Sequence, residues 1–287
     1  MGDISWLDKF NLDVISNSLN SQFASSLIGA LAGAFAGAWA AKKIADRGKL
    51  QEQLLAQIRN TNAAIIVSFS ICNTALALKS QYTKKMYDEF MSKRAELFEL
   101  REKQKNSTAA HGAEFELRAD FRRLQMPYVP IDILRTQVYE KLSVSGRPLA
   151  LIATIEGALS SLDDTITKRN TLIEHFKTMP QDSKDIVNLY FGFQLDNGHR
   201  STEYFDTVEA INRLIDDVIF FSEMLSRDLE KHGNASLKAY QARFKGVCEK
   251  IQSADLSKAR QAGLMPDEKE YESWLSAFKE TKPGSSA

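Results

Sequence analysis

Cysteine, proline and net charge are all scarce in this chain, and the shortages of cysteine and of net charge each exclude a class of site or partner. The sequence of 287 residues has two cysteines and six prolines, and its 37 basic side chains balance its 37 acidic ones. Cys72 and Cys248 lie too far apart for a metal or redox motif, so we expect both to be small core residues. A net charge of zero gives no global basic field, and no nucleic-acid partner is predicted.

Catalytic signatures are missing as well. The sequence has no phosphate-binding glycine loop, no GxSxG, no HExxH and no cluster of Cys and His residues. The adjacent carboxylates Asp163–Asp164 and Asp216–Asp217 do not share a face of a helix, so neither pair forms a metal site by itself. The prediction is therefore a protein that is not an enzyme and that carries no cofactor or metal.

Charge is absent from residues 23–41, and the side chains there sort by size with a period of four. One row, the small row, consists of Ser25, Gly29, Gly33, Gly37 and Ala41. The other, the bulky row, consists of Phe23, Leu27, Leu31, Phe35 and Trp39. At about 1.5 Å per residue this stretch reaches about 28 Å, close to the roughly 30 Å hydrocarbon core of a bilayer. The pattern predicts a transmembrane helix whose small row lets helices approach closely and form a homo-oligomer, a glycine zipper facing its own copies and membrane lipid.

The charges on either side of this stretch predict its orientation. Four basic residues and one acidic residue follow it, whereas residues 1–22 are net acidic: Lys42, Lys43, Arg47 and Lys49 with Asp46, against Asp3, Asp8 and Asp13 with Lys9. Positive residues remain in the cytoplasm, so the N-terminus is predicted outside and the C-terminal domain inside, in the cell inner membrane of a bacterium. Residues 1–22 are then a short extracytoplasmic interfacial segment.

A second uncharged stretch, residues 60–78, has the same length. It is far more polar, with Asn60, Asn62, Ser68 and Asn73 among its residues. If it crossed the membrane, the remainder of the chain, which begins with Lys79, Lys84 and Lys85, would have to lie outside, against the charge rule. We interpret it as the buried part of a cytosolic helix, and a two-span protein is the alternative.

The rest of the chain predicts a mainly α-helical fold. Residues 42–108 form a long juxtamembrane or stalk helix, suited to coiled-coil packing and able to hinge at Gly48. Residues 109–252 form a helical cytosolic bundle, with a short strand element near 114–124 where apolar and charged residues alternate. Residues 253–287 are a tail with a small docking helix.

Helix boundaries in the bundle follow from proline and glycine. Pro130 and Pro148 are predicted to begin helices that run to Lys141 and to about Thr178. A further helix begins after Ser201 and ends at His232–Gly233, where a basic last turn meets a glycine. The last helix of the bundle is predicted over residues 237–251.

Two short segments have an arginine followed five or six residues later by a histidine. They are Arg227 to His232, and Arg169–Asn170 leading to His175. The pattern resembles the active-site motif of HEPN-type ribonucleases, which are all-helical and assemble their sites across a dimer. The resemblance implies that Arg227 would stabilise phosphate charge and that His232 would act as acid or base. A membrane-tethered ribonuclease is therefore the alternative function.

The layout as a whole, a small membrane segment and a helical cytosolic domain, resembles the membrane-disrupting effectors of bacterial anti-phage systems, including those paired with retrons. That resemblance implies antiviral defence. We expect an oligomeric single-span membrane protein that couples an event sensed by its cytosolic domain, through a protein partner or other trigger, to the membrane.

Overall fold

A computed structural model of the chain describes residues 22–106, 115, 117, 119–180 and 184–278. The described part is mainly helical and contains no strand, which confirms the predicted mainly α fold class. The eight α-helices of the described residues are α1 Gln22–Leu78, α2 Lys84–Asn106, α3 Ile131–Thr136, α4 Arg147–Thr178, α5 Lys184–Phe191, α6 Glu203–Gln241, α7 Ser257–Gln261 and α8 Glu272–Ser276. Two π-helical segments, Lys79–Thr83 and Gln137–Lys141, and a 3₁₀ turn, Glu268–Tyr271, complete them.

The chain forms two compact units, Met1–Ala56 and Gln57–Ala287. In the described part of the first unit every residue from 25 to 49 is exposed, including Leu31, Phe35 and Trp39. The helix is unbroken at Gly48, so a hinge there stays a prediction. The predicted interfacial segment 1–22 lies outside the described residues apart from Gln22, the first residue of α1.

One helical run in the described residues, Ser25–Lys105, is long and apolar enough to cross a membrane, although a core helix of a soluble protein has the same composition. Its most apolar 18-residue window is 56% buried. Because residues 25–49 are all exposed, that window lies further along, in the region of residues 60–78. Two apolar stretches of one helix therefore have opposite environments.

The second unit has one hydrophobic core, and residues 60–78 contribute to it. Ile65, Ile71 and Cys72 are almost completely buried. The Ser68 hydroxyl donates to the carbonyl of Ser222 at 2.8 Å, and the Cys72 thiol lies 3.7 Å from the carbonyl of Ile219, both on α6. This burial supports the interpretation of residues 60–78 as part of a bundle.

Helices α4 and α6 supply most of the remaining core. Their buried apolar residues recur at helical spacing, which is why these two long segments fold as amphipathic helices and pack together. The core residues of the pair are Leu151, Ile152, Ile155, Leu159, Leu162, Ile166 and Ile173 on α4 and Val208, Ile211, Ile215, Val218, Ile219, Leu225 and Leu229 on α6. The last described segment packs on α6, where the Tyr271 ring stacks on that of Phe220 at 3.8 Å.

The predicted helix starts at Pro130 and Pro148 are confirmed to within a residue, but the end at Gly233 is wrong. Helix α6 continues through Gly233 to Gln241, and residues 242–251 are not helical. A Cβ atom at Gly233 would lie 2.8 Å from the Ile251 side chain and 2.9 Å from that of Thr61. Glycine is needed here for close packing against neighbouring segments. The separate helix predicted over 237–251 is also wrong, because residues 237–241 belong to α6 and residues 242–251 are not helical.

The strand predicted near 114–124 is wrong in the described residues, because 115, 117 and 119–124 are irregular. The alternation itself is real, since Phe115, Leu117 and Phe121 pack on the core. The backbone finds its partners in α4 instead of in a neighbouring strand. Arg169 donates to the carbonyls of Arg122 and Asp120, and Asn170 bonds both the amide and the carbonyl of Leu124.

Candidate functional site

The small row of α1 is the first candidate site, and it is open. A Cβ atom added at Gly29, Gly33 or Gly37 would meet no atom within 4 Å other than the backbone of its own helix and its two neighbours in the chain. Ser25 and Ala41, the ends of the predicted row, are exposed on the same helix. Because glycine leaves the helix backbone uncovered, another helix could pack at short distance along this row.

The bulky row is equally exposed, with Leu27, Leu31, Phe35 and Trp39 between 51% and 78% accessible. So many large apolar side chains in water are unfavourable, at about 25 cal/mol for each Å² of apolar surface. At the end of this row the Lys43 ammonium lies 5.0 Å from the centre of the Trp39 ring. An aromatic ring beside a basic side chain is typical of a membrane interface.

The residues of the possible ribonuclease motif have separate partners. Arg227 is exposed on α6 and pairs with Glu223 at 2.7 Å and Glu268 at 3.4 Å. His232 lies further along α6, and its Nε2 is 3.3 Å from the side-chain oxygen of Gln57. Burial lowers the pKa of His232, so the neutral imidazole is favoured. The structure does not bring the two side chains into one hydrogen-bonded pair.

The second arginine–histidine segment divides between the interior and the surface. Arg169 has no accessible surface and binds the two backbone carbonyls described above, whereas His175 is exposed. A guanidinium in that position cannot reach a phosphate on the surface. Arg169 and Asn170 therefore act as a clamp that holds the segment 120–124 on α4.

Sequence reasoning missed two buried ion pairs in the second unit. Arg147 forms a two-pronged pair with Asp228, with its Nε 2.7 Å from one carboxylate oxygen. Lys79, the first residue of the π segment Lys79–Thr83, pairs with Asp216. Burial raises the pKa of Asp216, and Lys79 opposes that rise. The partners are 81 and 137 residues apart, so no local pattern in the sequence could have indicated them.

Sequence reasoning also missed a groove with arginines in its wall, which lies in the second unit beside α2. No local motif marks it, because its residues come from α2 and from the turn between α5 and α6. In the described ranges no group of three or more His, Cys, Asp or Glu residues is placed to hold a metal ion. The metal-free prediction rests on the sequence alone.

No protein-family model, no curated protein and no solved structure matches this chain. What the fold and the site define is a class only: a mainly helical protein with one candidate membrane-spanning helix.

Proposed function

We propose that the protein is an oligomeric single-span membrane protein, with its N-terminus outside and its helical domain in the cytoplasm. Its function is to convert an event sensed by that domain into a change in the membrane, as a membrane-disrupting effector in antiviral defence. The observation that carries the proposal is the surface of residues 25–41, which is exposed at every residue and sorted by side-chain size.

Two features support this proposal over an anchor of unrelated function. The small row is doubled, with Gly29, Gly33 and Gly37 at successive turns, so that one helix can contact a partner over several turns of residues 25–41. The same helix, α1, also supplies buried residues of the second unit, such as Ile65 and Ile71. A change in the packing of that unit therefore acts on the helix that carries the apolar stretch.

The test is the membrane potential of bacteria that express the full chain, read with a depolarisation dye. We expect the wild type to depolarise the cells and Gly33→Leu to lose that activity, because a leucine keeps the helices apart. Leucine is more apolar than glycine, so Gly33→Leu still inserts, and the loss reports packing and not insertion. Cross-linking in isolated membranes should show fewer oligomers for the same variant.

Phe35→Leu is the matched control, since it changes the bulky row and leaves the small row intact; it should depolarise the cells like the wild type. His232→Ala tests the alternative of a tethered ribonuclease. The growth of the same cells is the readout for this variant. If His232→Ala no longer inhibits growth while Gly33→Leu still does, the ribonuclease becomes the better explanation and the effector function is rejected. Depolarisation by Gly33→Leu at the wild-type level would contradict the oligomeric mechanism.

A further inference from the structure

The groove beside α2 has a volume of about 560 Å³, which is within the range of small-molecule sites. Arg94, Phe98 and Glu99 line it from α2, and Phe193 and Arg200 line it from the turn between α5 and α6. On α2 the arginine and the phenylalanine are four residues apart, so helical geometry places them on the same face.

Two guanidinium groups lie against aromatic rings in and beside this groove. The Arg94 guanidinium lies 4.3 Å from the centre of the Phe205 ring and 5.4 Å from that of Phe193. The Arg101 guanidinium lies 4.5 Å from the centre of the same Phe193 ring. An arginine stacked through its flat face keeps its N–H groups in the plane, where they are directed at other acceptors.

One edge of each arginine is already fixed by a hydrogen bond. Arg94 Nε donates to the carbonyl of Phe191 and Arg200 Nε donates to that of Gly192, both at 2.9 Å. Arg101 donates to the side-chain oxygen of Asn188. Within the described ranges the terminal nitrogens of Arg94 and Arg200 have no acceptor, and that edge of a guanidinium is the one that binds a phosphate with two parallel bonds.

The charges of the groove favour an anion. None of the three arginines forms an ion pair with a carboxylate of the described residues. Glu99 lines the groove and lies 3.9 Å from Lys103. Burial lowers the pKa of Arg101, and the carboxylate of Asp196 opposes that change. Like charges held close together repel one another, and a bound anion would remove that cost.

The turn that carries Arg200 is held in place by its own hydrogen bonds, without a ligand. The amide of Leu195 donates to the carbonyl of His199 at 2.7 Å, and the Gln194 side chain donates to the carbonyl of Gly198 at 2.9 Å. Gly198 has a φ of +84°, a conformation that suits glycine. Because this turn does not have to be ordered when a ligand binds, less of the binding free energy is lost.

We propose that this groove binds a nucleotide-sized phosphorylated molecule. Arg94 and Arg200 hold the phosphate, and Arg101 adds positive charge beside them. Phe98, whose side chain is 55% exposed at the rim, offers a flat face on which a planar base stacks. The proposal goes beyond the proposed function and does not rest on it, because binding is measured without any effect on a membrane.

The test is calorimetric titration of the purified full chain in detergent with ATP, AMP, adenosine, ribose 5-phosphate and inorganic phosphate. We expect ATP or AMP to bind more tightly than adenosine, ribose 5-phosphate and inorganic phosphate. Arg200→Gln and Phe98→Ala change exposed side chains, so the fold is retained, and each should weaken nucleotide binding by at least about tenfold. Lys85→Gln is the matched control: it removes one positive charge from the same helix outside the groove and should bind like the wild type.

Each other outcome overturns the proposal. Binding of inorganic phosphate alone, with Phe98→Ala unchanged, would mean a simple anion site with no place for a base. Equal nucleotide affinity in Arg200→Gln and the wild type would place the ligand elsewhere. The absence of heat with all five compounds would show that the arginines serve packing only.

Discussion

Arg169 is a charged residue with no accessible surface, and its partners are backbone carbonyls. Its guanidinium also lies 5.8 Å from the centre of the Tyr204 ring, inside the aromatic part of the core. Removing it would leave the partly buried carbonyls of Asp120 and Arg122 without the donor that they have now. A buried polar group without a partner is costly, so Arg169 stabilises the fold although its charge is buried.

We therefore expect Arg169→Met to lower the free energy of unfolding by about 2–4 kcal/mol. The measurement is denaturant unfolding of the full chain in detergent, followed by tryptophan fluorescence. Arg122→Ala is the matched control, because it removes an exposed side chain while the carbonyl that Arg169 binds remains. That variant should unfold like the wild type, and equal stability of Arg169→Met and the wild type would contradict the clamp.

Single residues also show where prediction from sequence stops. The alternation of Phe115, Leu117 and Phe121 correctly indicates a segment with one face on the core. It cannot indicate that Arg169 and Asn170 replace the missing strand partner, because that depends on how α4 packs. The prediction of a helix end at Gly233 is wrong for the same reason. Glycine is needed there because Thr61 and Ile251, which are distant in sequence, pack against it.

At the scale of elements, the π segment Lys79–Thr83 is the least expected feature of the helical run Ser25–Lys105. The amide of Lys84 donates to the carbonyl of Lys79, five residues back, so this turn holds one residue more than an α-helical turn. The extra residue lets Lys79 reach Asp216 while Met86 and Phe90 on α2 still face the core.

Deleting the exposed Ser80 should convert this turn into regular α-helix and leave every residue after Lys84 on its present face. We expect the variant to keep its helical content and to fold, with a moderate loss of stability from the altered position of Lys79. Deleting the exposed Ser92 instead rotates all later residues of α2 by about 100°, which turns Leu97 away from the core.

Circular dichroism and thermal unfolding of the two deletion variants give the comparison. The prediction requires the Ser80 deletion to be clearly the more stable of the two. Equal damage from both deletions would show that the π segment does not absorb an extra residue.

Helices with proline starts were predictable because proline lacks the amide that a first turn leaves unpaired, as at Pro130 and Pro148. The apolar rows of α1 and the cores of α4 and α6 were predictable from their periods. The boundary between the two units was not. Leu50, Leu54 and Ile58 recur at helical spacing, yet Ile58 is the first buried residue along α1 in the described part.

At the scale of the whole molecule, the orientation in the membrane is the prediction on which the proposed function depends most. The basic residues after Ala41 predict one span with the second unit inside. Two spans would leave both ends of the chain outside. Cys248 is a natural probe for the second unit, because its side chain is only partly buried whereas Cys72 is buried. Burial raises the pKa of both thiols, and it raises that of Cys72 to about 12, which keeps the Cys72 thiol protonated and unreactive.

We expect a membrane-impermeant maleimide to label Ser18→Cys in intact spheroplasts and to label Cys248 only after the membrane is opened. Cys248→Ser identifies the signal that belongs to this residue. Labelling of both positions from outside would establish the two-span arrangement. Labelling of Cys248 alone would show that the orientation is the reverse of the predicted one. Because the depolarising effector has to sense its trigger in the cytoplasm, either result would also remove the basis of the proposed function.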